Sequence, residues 1–151
     1  MYPKTHILFG LIFCVILFVF FPNISLLGLL CLFLSAVLID VDHYIYFIFK
    51  KKNLSLNKSY IWFKELKEYG LKHKREIYLY KWPNYTFHNV EFLLVVLVLY
   101  FIWPFFGFLF IGLLLHFFLD FLDDLSTGLP ITMKLSLVYL LIRNKNKKTF
   151  N

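Results

Sequence analysis

Four short polar clusters interrupt an otherwise apolar chain. They are Thr5-His6, Asp40-Val41-Asp42-His43, His88-Asn89-Val90-Glu91 and His116-Phe117-Phe118-Leu119-Asp120. Imidazole and carboxylate in such groups are the usual ligands of divalent metals. His116 and Asp120 are four residues apart and share a helix face; His88 and Glu91, like Asp40 and His43, are three apart and are expected to do likewise. Asp42 falls on a neighbouring face, and His6 opens the first apolar run. Mixed imidazole and carboxylate ligands favour zinc, manganese or iron over calcium or magnesium. One ion with supporting residues or two ions both suit the set. A metal held there would lower the pKa of bound water and supply hydroxide at neutral pH. Asp42 or Glu91 is the candidate general base, with a ligand role as the alternative for either. Asp123 and Asp124 continue the His116–Asp120 face and read as a solvated helix end. His73 stands apart among Lys72, Lys74 and Arg75 and reads as an exposed loop residue. There is no G-x-S-x-G, no Gly-rich phosphate loop and no C-x-x-C, so serine nucleophiles and nucleotide loops lack support.

Such a site needs elements that bring the clusters to one depth. The chain has 151 residues, of which 60% are hydrophobic and 22% aromatic. Its mean hydropathy is +0.71. Soluble domains are about 45–50% apolar, so the expectation is one all-α, polytopic membrane domain over residues 1–151. Apolar spans are expected at about 5–21, 24–43, 87–103 and 105–122, with the second extendable to the stop at Lys50-Lys51-Lys52. Pro22-Asn23 makes a turn, and Pro104 ends the third span. Short connections imply antiparallel neighbours and an up-down bundle of four helices. These spans are at the short end of the roughly 17–25 residues a membrane helix needs. They suffice if the polar clusters lie inside the helices near the interface. A charge in mid-span costs about 2.5–3.5 kcal/mol, and a bound cation would offset that for Asp40, Glu91 and Asp120.

Charge sets the orientation. The net charge is +7, and ten of the sixteen Lys and Arg lie in the loop 50–81. The others are Lys4, Lys134, Arg143, Lys145, Lys147 and Lys148. Basic residues beside spans mark the cytoplasmic side, which places both termini and all four clusters there, in a multi-pass protein of the cell membrane. The basic loop suits anionic lipid headgroups; nucleic acid is not expected, because the loop is tied to spans at both ends. Within the loop, Tyr60, Ile61, Trp62, Phe63, Leu66 and Tyr69 recur at the spacing of an amphipathic helix ending near Gly70. The stretch 129–142, interrupted by Lys134, reads as interfacial rather than spanning. Cys14 and Cys31 lie mid-span and read as small packing residues. The opening run resembles a signal peptide without a cleavage site and reads as a retained span.

The order Thr5-His6, then Asp40-x-Asp42-His43, then Phe87-His88-Asn89 opening a span, then His116-x-x-x-Asp120 with Ser126-Thr127-Gly128 behind, covers nearly the whole chain. It resembles the YdjM-like membrane-bound metal-dependent hydrolases, which are similar in turn to zinc-dependent phospholipase C and single-strand nucleases. The resemblance implies hydrolysis of a phosphoester, with His6, Asp40, His43, His88, His116 and Asp120 as metal ligands. The departure is at the third span, where that family carries His-Ser and this chain carries His88-Asn89 and adds Glu91. A lipid phosphoester is the expected substrate. Two other classes remain open. The same ligands suit a divalent-metal transporter or metal sensor, although the outer halves of the spans are apolar. His6 and His116 also suit bis-histidine haem, which leaves the carboxylates unexplained.

Overall fold

The computed structural model describes residues 2–74, 79–130, 136–145 and 147. It is all-α, with no strand among the described residues. The helices are α1 (Pro3–Phe20), α2 (Leu26–Leu38), α3 (Val41–Lys51), α4 (Leu56–Lys72), α5 (Val90–Ile102), α6 (Phe106–Thr127) and α7 (Leu137–Asn144). Local sequence explains most of the ends. Pro3 starts α1, where its missing N–H has no intrahelical use. Ser25, Ser55, Asn89 and Ser136 each accept a hydrogen bond from a first-turn N–H of α2, α4, α5 and α7. Gly128, with φ +67°, closes α6 in the left-handed conformation.

Three segments are long and apolar enough to cross a membrane: Pro3–Phe20, Leu26–Lys51 and Phe106–Thr127. The second joins α2 and α3 through a break at Ile39–Asp40, so the expected extension past His43 is observed. The third expected span is shorter than 87–103. Asn89 caps it and Trp103-Pro104 follows it, leaving the 13 residues of α5. At 1.5 Å per residue that is about 20 Å, against about 30 Å of hydrocarbon. His88 therefore precedes the helix, and the expectation that it shares a helix face with Glu91 does not hold. Conversely, α6 runs five residues past its expected end at 122, taking Asp123 and Asp124 into the helix.

Helix α2 packs between α1 and α6, and α5 packs on α6. Ile39 at the end of α2, Val96 of α5 and Leu113 of α6 form the centre of the core. The α2–α6 contact is close because Gly112 has no side chain. A Cβ there would collide with Ser35 Oγ and the Leu32 carbonyl. The opposite faces of these helices expose Phe18, Val19, Phe20, Leu27, Phe101 and Ile102, as lipid contact requires. Helix α4 is the amphipathic helix expected in the basic loop; it lies against α3 and buries Ser59, Leu66 and Gly70. Of the stretch 129–142, residues 131–135, including Lys134, lie outside the described residues. Leu137–Asn144 form the short amphipathic helix α7.

Candidate metal centre

Four separate elements deliver the polar clusters to one place. The first turn of α1 carries His6. The α2–α3 break carries Asp40, and the first turn of α3 carries Asp42 and His43. The bend before α5 carries His88, and the middle of α6 carries His116 and Asp120, one turn apart. His6, His88 and His116 are 1%, 2% and 0% exposed. Burying so many ionisable groups is costly unless they are satisfied.

The six expected metal ligands meet. Three overlapping groups have ligand atoms all within 4.8 Å of one another: His6, Asp40 and His116; Asp40, His43 and His88; His88, His116 and Asp120. Asp120 Oδ1 lies 3.2 Å from His6 Nε2, and Asp120 Oδ2 lies 2.9 Å from His88 Nε2. Asp40 Oδ1 lies 3.5 Å from His43 Nδ1 and 3.7 Å from His116 Nε2. Ligands about 2.0–2.1 Å from a tetrahedral ion are about 3.3–3.4 Å apart, so these separations suit donors around a cation.

His116 gives the clearest chemical argument. Its Nδ1 donates to the Ala36 carbonyl at 2.8 Å, which fixes the tautomer and leaves Nε2 with a lone pair. That lone pair is buried without a hydrogen-bond partner and faces Asp40 and Asp120. Two acceptors directed at each other at 3.7 Å suit a cation shared between them. His6 Nδ1 and Nε2, Asp40 Oδ2 and His88 Nδ1 are also buried without hydrogen-bond partners. The donor set, its burial and these orphaned atoms fit a metal ion.

Asp42 and Glu91, the candidate bases, are placed differently. Asp42 Oδ2 accepts from the backbone N–H of Phe87 and His88, at 2.5 and 3.3 Å. Asp42 thus holds the bend that presents His88. Glu91 accepts from Ser136 Oγ and from the Leu137 and Val138 N–H groups at the start of α7. A carboxylate at a helix N-terminus complements the dipole there. Neither belongs to the three ligand groups among the described residues.

Other expectations resolve as follows. Asp123 and Asp124 are not a solvated end: Asp123 pairs with Lys67 at 2.7 Å, and Asp124 is buried. His73 is half-buried at the end of α4, stacked on Tyr69 with ring centroids 4.3 Å apart. Cys14 and Cys31 are free and half-buried, as packing residues. Bis-histidine haem is excluded by geometry. The His6 and His116 rings stack at 3.9 Å, which leaves no room for a porphyrin between them.

Sequence reasoning missed Tyr85, buried with its ring centroid 4.1 Å from that of His43. Burial pushes its hydroxyl well above the ordinary phenol range, with Tyr46, Asp40, Asp42 and Asp120 adding to the effect. Tyr85 is therefore a neutral O–H beside the cluster. It also missed a cleft of about 390 Å³ between α4 and the ends of α1, α2 and α6, which reaches Asp40, His43 and Asp120. The available signal was the spacing of Tyr60, Phe63, Lys64 and Lys67, which puts all four on one face of α4 and into the cleft lining. No protein-family model, curated protein or solved structure matches the chain.

Proposed function

We propose that this protein is a membrane-embedded, metal-dependent hydrolase that acts on a phosphoester, with zinc as the favoured ion and manganese or iron as substitutes. The observation that carries the reading is the union of cluster and cleft. Asp40, His43 and Asp120 belong to both. The cleft walls are Val37, Leu38, Leu56, Phe63 and Leu66, and Lys64 and Lys67 lie on the same lining. An apolar trough with the Lys64 ammonium group on its lining, the Lys67–Asp123 ion pair beside it and a cation-binding floor suits a lipid with an anionic phosphate. Trp82 Nε1, buried without a hydrogen-bond partner, borders this cleft and can donate to a ligand oxygen.

His6, Asp40, His43, His88, His116 and Asp120 would hold the metal. A divalent ion supplies a Lewis acid that activates water and polarises a phosphoryl oxygen. The chain's own residues orient these parts. The Ala36 carbonyl fixes His116, Asp42 fixes the His88 backbone, and α4 forms one wall of the cleft. The motif order that resembles YdjM-like hydrolases supports the same reaction class, as does a basic loop suited to anionic lipid. The cluster is proposed to face the cytoplasm, on the distribution of Lys and Arg.

Purified protein loaded with zinc should cleave phospholipids in mixed micelles, and chelation should stop it. If a panel of phosphate-bearing lipids shows no cleavage by fully metallated protein, the hydrolase reading fails. A transporter is the weaker reading: residues 7–39 and 92–115 contain no Asp, Glu, His, Lys or Arg, so an ion would cross that depth without ligands.

A further inference from the structure

Resting on the metal-dependent reading, we infer that the site is dinuclear, with Asp40 and Asp120 shared between two ions. The donors fall into three overlapping groups of three among the described residues, not into one set of six. An ion bound to all six would keep every pair of ligand atoms within twice the ligand distance, about 4.2 Å. The cluster is more extended than that. Asp40 belongs both to the group with His6 and His116 and to the group with His43 and His88. It is the common member of two otherwise separate triads.

Asp120 repeats the pattern with its two oxygens. Oδ1 faces His6 at 3.2 Å and Oδ2 faces His88 at 2.9 Å. These histidines belong to different triads, so the carboxylate spans the two halves. Each half carries an imidazole pair, and His88 and His116, with centroids 4.8 Å apart, meet with Asp120 at the boundary between them. His6 and His116 stack on one side, with centroids 3.9 Å apart. His43 and His88 meet edge to face on the other, with centroids 5.3 Å apart. Each half then offers two imidazoles and a share of two carboxylates. Two divalent ions bear four positive charges against the two carboxylates that bridge them. The excess suits an anionic oxygen of the substrate, and paired ions about 3.5–4 Å apart can clamp both oxygens of an in-line displacement.

The test is stoichiometry on the purified full chain in detergent, by elemental analysis and by electron paramagnetic resonance of the manganese-loaded protein. The expected result is two equivalents of metal and an exchange-coupled manganese pair. His43→Ala should lower the content to one equivalent and convert the signal to that of an isolated ion; His73→Ala should retain two. The wild-type measurement stands even if His43→Ala fails to fold. One equivalent in wild type, or two uncoupled ions, overturns the dinuclear inference and leaves the hydrolase reading standing. No bound metal overturns both.

Discussion

Asp120→Asn is the sharpest perturbation of the centre, because it keeps the shape and removes one charge. Asp120 is buried, with its oxygens 3.2 Å from His6 Nε2 and 2.9 Å from His88 Nε2. A unit-charge pair 4 Å apart at an effective dielectric of 20 is worth about 4 kcal/mol, so a divalent ion and one carboxylate at that separation interact by about 8 kcal/mol. The amide oxygen retains part of this as a neutral ligand. Keeping half leaves a loss of about 4 kcal/mol, or roughly a thousandfold in affinity. At a metal concentration 100 times the wild-type Kd, the ion stabilises wild type by about 2.7 kcal/mol. For a chain of this size that raises Tm by about 5–11 °C. The variant at the same concentration has about a tenth of its own Kd available. It gains under about 0.1 kcal/mol, a shift below about 0.5 °C.

The assay is thermal unfolding in detergent micelles, followed by circular dichroism with and without added zinc. The metal-free melts of the two proteins measure any packing effect of the amide. The difference between loaded and metal-free melts measures the ion alone. Equal metal-induced shifts in wild type and Asp120→Asn would refute the placement of Asp120 at the ion.

The remaining expectations test the supports around the centre. Asp42→Ala leaves the Phe87 and His88 N–H groups without their acceptor, and should weaken metal binding about 10–100-fold; unchanged affinity in a chelator competition would contradict its positioning role. Glu91→Ala should cost about 1–2 kcal/mol at the start of α7 and speed hydrogen exchange at residues 137–144, with metal content intact. A fall in metal content as large as that of Asp120→Asn would move Glu91 into the ligand set. Gly112→Ala should destabilise by about 1–3 kcal/mol from overpacking against α2, against a helix-propensity gain of up to about 1 kcal/mol; a higher Tm would show that α2 and α6 separate at little cost. Reporters at residue 53 and residue 147 should label the same side of the membrane, and one at residue 23 the other; opposite results for 53 and 147 would mean that the chain crosses between them an odd number of times.

The fold and the convergence of the His and Asp clusters were legible for one physical reason. Lipid-facing segments tolerate few polar residues, so each His or Asp at the end of an apolar run stood out. His6, Asp40, His43, His88, His116 and Asp120 carry that signal in their own neighbourhoods, and the structure brings all six together. The roles of Asp42 and Glu91 carry no such signal. Their partners are backbone groups about 45 residues away, and a carboxylate that accepts from distant N–H groups has the same local sequence as a ligand or a base. The Lys67–Asp123 pair, 56 residues apart, was hidden for the same reason. The start of α5 is a different kind of error. Asn89 ahead of an apolar run is a strong N-cap signal, and giving it weight would have put His88 outside the helix.

That placement bears on how the site is built. Within a membrane, backbone N–H and C=O groups must find partners in the protein, so breaks in helices gather where other groups satisfy them. Asp40 lies at the Ile39–Asp40 break, and His88 lies in the bend before α5. At that bend Asp42 accepts from the Phe87 and His88 N–H groups, and Asn89 donates to the Tyr85 and Thr86 carbonyls while capping α5. His116 and Asp120, in contrast, come from the unbroken helix α6, one turn apart, and take their direction from helix geometry. The continuous helix thus supplies a rigid pair of candidate ligands, and the interrupted segments bring the others to it from two directions. Loss of the Asp42 carboxylate should therefore displace His88 while leaving the His116–Asp120 spacing intact. In a dinuclear centre it would weaken the ion held by His43 and His88 before the ion held by His6 and His116, and a two-step metal titration of Asp42→Ala would show the difference.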